Sequence, residues 1–255
     1  MKRLSLLLLI PFFLTAGCLK LDETLTLRED GSATLEANYA VSRAAITQLK
    51  AMMNIRNQMD SLTGNPPVEQ DRLAEVLLDP DEDSIRREMK KYERYGIKID
   101  RLKVDTRESW TTTLIKLSCR SLAEAARSDL FMNYGFSMTR NSDGNYVLHR
   151  ASANASGEST GFPDADTLRL MSPFLEGFNV VIKVATPGRI LKTTAPQKSQ
   201  MMATWTFSFD KDPNSIIALQ NQAFSVIFEN KGREGKTFAL PEIRQAKPIP
   251  APAAP

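Results

Sequence analysis

The chain has 255 residues, with 33 Lys and Arg against 30 Asp and Glu and a net charge of +3. Lys2 and Arg3 supply most of that excess, so the rest of the chain is nearly neutral, which argues against a nucleic-acid binder and its strong basic surplus. An apolar share of 42% and a charged share of 25% are those of a globular protein, and two cysteines leave its stability to a packed core.

The first expected element is a signal. Met1-Lys2-Arg3 is a basic start, positions 4–14 are apolar except Ser5 and Pro11, and Ala16-Gly17 are small. This run is too short to span a bilayer, which takes roughly 20 apolar residues, and no second long apolar run follows. Cys18 comes directly after the small pair. A thiol there takes a diacylglycerol as a thioether, and cleavage then leaves it as the new N-terminus. Leu14-Thr15-Ala16-Gly17-Cys18 resembles the lipobox of bacterial lipoproteins, with Thr15 where Leu, Val or Ile is commoner. The expected division is a signal peptide over 1–17, a lipid-anchored domain over 18–240 and a disordered Pro/Ala tail over 241–255.

A hairpin opens the domain almost at the anchor. Leu21, Leu25 and Leu27 share one strand parity, broken by Glu23. Asp30-Gly31 is a strong turn signal, and Ala33, Leu35, Ala37, Tyr39 and Val41 then alternate. Ser42 is placed to cap a helix over 42–62, with Ala45, Leu49, Met52, Ile55, Met59 and Leu62 on one face. A short helix over 69–78 follows, and Asp83 or Ser84 caps another that Gly96 closes. Strands are expected over 97–104, with a bulge between Ile99 and Leu102, and over 110–119. SLAEAARSDLF reads as a helix and FSMTRNSDGNYVLHR as a second Asp-Gly hairpin. ASANASGEST reads as a mobile loop, and 166–178 as a helix. The last third is mostly strand: FNVVIKVATPGRILKT turns at Pro187-Gly188, and ATWTFSF alternates with Trp205, Phe207 and Phe209 on one face. A short helix opens at Asp212-Pro213, and AFSVIFEN is a final strand. Hairpins with helices inserted between them predict a single-domain α+β fold, a mostly antiparallel sheet packed against the helices.

The inventory of chemistry is thin. His149 is the single histidine, and no Ser/His/Asp arrangement accompanies it. No His, Cys and carboxylate cluster has metal-ligand spacing, no glycine-rich phosphate loop occurs, and no cofactor is implied. Cys119 ends an alternating run and reads as a small buried hydrophobe. The acidic run 79–84 lacks the glycine and terminal Glu of a calcium loop and reads as a helix start. Arg86, Arg87, Lys90, Lys91 and Arg94 crowd one helix. They suit first of all a solvated face; the sharper alternative is a contact with anionic headgroups, worth about 1 kcal/mol per cation. The Met52 stripe and the Trp205 face suit a core, and both also suit the walls of a pocket between helix and sheet, where methionine repacks around varied apolar ligands. Met52, Met53, Trp205 and Phe207 are the candidate ligand-lining residues, and Cys18 is the candidate lipidation site.

GCLKLDETLTLREDGSATLEANYAVS near one end, with FNVVIKVATPGRILKT and ATWTFSF near the other, resembles the LppM-type bacterial lipoproteins. The intervening stretch 62–179 has no such match. The resemblance implies a cell-envelope lipoprotein with a curved sheet packed on helices, a shape similar to carriers of hydrophobic ligands, lipid or glycolipid binding, and no enzymatic activity. Some relatives carry a C-terminal transmembrane helix. A Pro/Ala tail stands there instead, so only the N-terminal anchor is carried over.

These readings converge on a non-enzymatic binding module held at the membrane by Cys18, with a lipid or other apolar envelope ligand as its partner. The alternative is a structural or assembly component that docks an envelope protein. Leu19 is not the Asp that retains lipoproteins at an inner membrane, which favours the outer membrane in a two-membrane cell.

Overall fold

The computed structural model describes residues 19–44, 46–47, 51, 76, 79–132, 136–152, 175–232 and 234–244. The expected signal, Cys18, Met52, Met53, and most of the helices and the loop expected over 42–62, 69–78, 151–160 and 166–178 lie outside them. Within that range Arg43, Ala44, Ile46, Thr47, Ala51, Val76 and Leu175 are helical.

The opening hairpin pairs β1 (Leu19–Leu27) with β2 (Ala33–Ser42), in register from Leu19 against Val41 to Leu27 against Ala33. Its turn forms where the Asp-Gly signal puts it. The Asp30 carboxylate accepts from the Ser32 N–H at 2.9 Å, and Gly31 takes a φ of 81°, a conformation glycine adopts without strain.

Helix α1 (Glu82–Met89) runs into a 3₁₀ turn over Lys90–Tyr95, closed by Gly96 at φ 72° as expected. Its N-cap is Asp81 rather than Asp83 or Ser84. Asp81 is extended after Pro80, and its carboxylate accepts from the N–H groups of Asp83 at 3.2 Å and Ser84 at 3.0 Å. The helix thus starts earlier, and both expected caps sit inside its first turn.

Strands β3 (Ile97–Thr106) and β4 (Trp110–Cys119) pair antiparallel, with the register shift between Ile99 and Arg101. The helix expected next is two short pieces, α2 (Leu122–Ala125) and α3 (Asp129–Met132). Ser128 divides them: it is buried, and its hydroxyl donates to the Ala125 carbonyl at 2.6 Å. β5 (Phe136–Arg140) and β6 (Tyr146–Arg150) make the second Asp-Gly hairpin. Then follow β7 (Asn179–Ala185), β8 (Ile190–Thr193), β9 (Gln197–Lys198), β10 (Met202–Ser208), α4 (Ser215–Asn221) and β11 (Phe224–Phe228).

The fold is α+β, one domain, as the hairpin pattern predicts. Its strands divide between two sheets, one of seven strands in the order β3-β4-β2-β1-β7-β10-β9 and one of four in the order β5-β6-β11-β8. Pairing is antiparallel except between β1 and β7. The long stretch of chain from β2 to β7 provides the crossover that a parallel pair needs. The Pro187-Gly188 turn carries the chain from one sheet to the other, because β7 and β8 belong to different sheets. A side chain at Gly188 would collide with the Glu229 carbonyl oxygen.

The two sheets share one core. Trp205, Tyr146, Phe228, Met138 and Val226 are all but inaccessible, and burial of each large apolar side chain stabilises by about 1.5–3 kcal/mol. The packed chain runs on past Leu240. Met138 and Ile243 exchange both backbone hydrogen bonds, at 2.8 and 2.7 Å, and Ile243 is buried. Tyr146, stacked between Phe228 and Phe238, accepts at its hydroxyl from the Leu240 N–H at 2.6 Å. Of the expected tail, residues 241–244 are described, and they lie against the domain.

Candidate functional site

The strand registers line up the inner face of the seven-stranded sheet. Directly paired residues share a face, so one row reads Trp205, Ile182, Glu23, Ala37, Ile115, Leu102 across six strands. The next row toward the Leu19 end contains Phe207, Val180, Leu21, Tyr39 and Thr113. A carboxylate therefore stands in the middle of an apolar row, on the central strand of the sheet.

Burial along these rows is uneven. Trp205, Phe207, Ile182 and Val180 on one side and Ile115 and Thr113 on the other are buried. Between them, on the two central strands, Leu21, Glu23 and Ala37 are half-buried, as is Leu35 in the neighbouring row, whereas Tyr39 is buried. In a plain core the centre of a sheet is its driest part. Here the flanks are buried, while part of the centre is half-buried and packed against the core.

Glu23 keeps some accessible area, yet enough protein surrounds it that desolvation pushes its carboxyl above the usual range, and the Arg150 charge pulls the other way. Arg150 ends β6 on the opposite sheet, and its guanidinium sits 5.1 Å from the Phe224 ring centre. Phe224 in turn meets Trp205 and Phe207 edge-on, at 5.1 and 6.2 Å. Among the described residues, three buried polar atoms near the same rows make no hydrogen bond: Tyr39 Oη, Thr113 Oγ1 and Trp205 Nε1. Tyr39 and Thr113 face each other across β2 and β4. Burial raises the Tyr39 phenol pKa, and the neighbouring Thr113 hydroxyl offsets part of that.

Of the candidate residues, Trp205 and Phe207 come together on β10 and are buried as the wall of this region. Met52, Met53 and Cys18 lie outside the described residues. Sequence reasoning did not single out Glu23, Arg150, Tyr39 or Thr113 as a group. The available signal was the interruption of the Leu21, Leu25, Leu27 parity by Glu23: a charge at an inward position needs a reason.

The arrangement offers one carboxyl, one cation and hydroxyl and indole groups set in apolar surface. Among the described residues no group of three or more His, Cys, Asp or Glu is placed to hold a metal. Cys119 is buried at the end of β4, and desolvation, then Asp100, pushes its thiol up to about 11, so it stays protonated at neutral pH. The acidic run at 79–84 is spent in part on capping α1. On that helix Arg86 pairs with Glu82 at 3.9 Å and Arg87 donates to the Ser84 hydroxyl at 2.9 Å, and Lys91 of the following 3₁₀ turn pairs with Glu88 at 3.6 Å, so the positive charge here is partly neutralised. No helix among the described residues is long and apolar enough to cross a membrane.

No family model matches the chain, and no curated protein matches it. Among solved structures it is similar to the folded domain of the Mycobacterium tuberculosis protein LppM, determined by NMR, at 13% identity over 92% of this chain and 99% of that one, with a TM-score of 0.40. A likeness of that size lends no residue role or activity to this chain.

Proposed function

We propose that this chain is a lipoprotein of the bacterial cell envelope, acylated on Cys18, whose folded part is a non-enzymatic module that binds an amphiphilic ligand on the inner face of its seven-stranded sheet. The observation that supports the reading is the incomplete burial at the centre of that face: Leu21, Leu35 and Ala37 around Glu23 are half-buried between buried walls. The apolar body of a ligand covers the central strands. Its polar group meets Glu23, with Tyr39 Oη, Thr113 Oγ1 and Trp205 Nε1 as unsatisfied groups close by. A carboxyl whose pKa is raised also donates a hydrogen bond when protonated, so a hydroxylated or amide-bearing headgroup suits it as well as a cationic one. Burial of acyl carbons at about 0.8 kcal/mol per CH₂ makes a two- or three-chain anchor on Cys18 effectively permanent.

The alternative, docking of an envelope protein by strand addition, has less support. Strand β3, at one edge of the seven-stranded sheet, presents exposed Lys98, Arg101 and Lys103 and carries a bulge, which are devices that block edge pairing.

An environment-sensitive anilinonaphthalene probe tests the reading. It gains fluorescence on the native chain, and Leu21→Trp, which fills the half-buried centre, abolishes the gain without lowering thermal stability. Equal probe binding by Leu21→Trp, or none by the native chain, overturns it.

A further inference from the structure

The anchor residue has almost no tether. Cys18 precedes Leu19, the first residue of β1, and consecutive Cα atoms are about 3.8 Å apart. An acylated Cys18 therefore brings the Leu19 end of the seven-stranded sheet to the headgroups. At that end Leu19 pairs with Val41 and Val41 with Thr111. Trp110 lies one residue beyond Thr111, paired with Ser42, at the Leu19 end of the sheet. The lateral distance from β1 to β4 is two strand spacings, roughly 10 Å.

We propose that this end of the sheet is a membrane-contacting foot, with Trp110 seated at the headgroup level of the bilayer that holds Cys18; the proposal rests on the acylation of Cys18. Trp110 is half-buried on the outer face, and the Lys20 ammonium sits 5.3 Å from its ring centre. An indole with one apolar body and one polar N–H, next to a lysine, is the pair that settles at a membrane–water interface. Arg43 and Arg107 are exposed on the same rim, and the Arg43 N–H ties the rim together by donating to the Ser109 carbonyl at 3.0 Å. Asp105 pairs with Arg107 at 3.3 Å and Glu108 is exposed nearby, so the rim is mixed in charge. The ring of Trp110, rather than net charge, makes the contact. Because β1 is the central strand, a sheet standing on this foot holds the inner face upright beside the bilayer.

The test uses the full chain made in a lipidating bacterium and reconstituted into phosphatidylethanolamine–phosphatidylglycerol vesicles with acyl chains brominated near the carbonyl. The protein has two tryptophans, and Trp205, 1% exposed, is the shielded reference. The expected result is an acyl mass on Cys18, co-flotation with vesicles, and emission quenched by brominated lipid, with the quenched component lost in Trp110→Phe. A chain that is acylated and floats but is equally bright in plain and brominated vesicles overturns the foot and leaves the anchor standing. Quenching that survives in Trp110→Phe also overturns the foot. A chain with no acyl mass that stays off the vesicles overturns the anchor, and the foot with it.

Discussion

Glu23 and Arg150 stand on opposite sheets and meet electrostatically across the core: burial of the carboxyl on β1 raises its pKa, and the guanidinium at the end of β6 opposes that rise. The sum is an upward shift, so the folded protein holds a proton on Glu23 more tightly than the unfolded chain does. Its contribution to stability is full below the ordinary value of 4.5 and is lost as pH rises through the folded pKa. Thermal melts of the native chain and Glu23→Gln are therefore expected to differ with pH. The variant is more stable at neutral pH and has no such advantage at pH 4. A variant destabilised at neutral pH would mean that the charged pair is a net support. Arg150→Leu, which removes the opposing charge, is expected to lower neutral-pH stability.

Trp205 is a wall residue with an unpaired N–H. Trp205→Ala empties a closed region against Phe224 and is expected to cost about 3–5 kcal/mol in denaturant unfolding. Trp205→Phe keeps the edge-on packing and removes the orphan donor, whose burial alone costs about 1–3 kcal/mol. It is expected to lose far less than the alanine variant. Equal losses would show that the indole N–H has a partner.

Residues 241–244 are held against the domain through Ile243. Truncation after Arg244 keeps that contact and serves as the reference. Truncation after Leu240 removes Ile243, its two backbone hydrogen bonds to Met138 and its burial, and the lost apolar burial alone is worth about 1.5–3 kcal/mol. Two truncations with the same melting temperature would contradict the packing of residues 241–244.

The cap of α1 is a single-residue claim. The Asp81 pKa is lowered mainly by its hydrogen bonds to Ser84, so its support is present above the ordinary value of 3.8 and is lost as pH falls through the folded pKa. Asp81→Ala is expected to lower the melting temperature at neutral pH, whereas Asp83→Ala is not. The reverse order would restore the cap to the position that spacing alone suggests.

Much of the fold was legible in the sequence, because two Asp-Gly turns and clean period-2 runs specify hairpins locally. The β1–β2 and β5–β6 pairs, the bulge after Ile99 and the limits of β4 follow from such signals. What was not legible is long-range. Nothing near Pro187-Gly188 says that the chain changes sheets there, since Gly188 is required by the Glu229 carbonyl, which is remote in sequence. Nor does a Pro/Ala-rich tail announce that Ile243 pairs with Met138. The candidate site was half visible. Alternation put Trp205 and Phe207 inward, and the same alternation exposed Glu23 as the misfit. Its relation to Arg150, Tyr39 and Thr113 comes only from registers between strands far apart in the chain.

The central claim is a ligand on the inner face, and native mass spectrometry tests it most directly. The chain from Leu19 onward, which begins at the first residue of β1, is incubated with a lipid extract of bacterial envelopes and compared with Leu21→Trp. The account predicts a stoichiometric amphiphile on the native chain that is absent from the variant and weakened in Glu23→Leu. A bare mass for all three, or an adduct that all three retain equally, would contradict it.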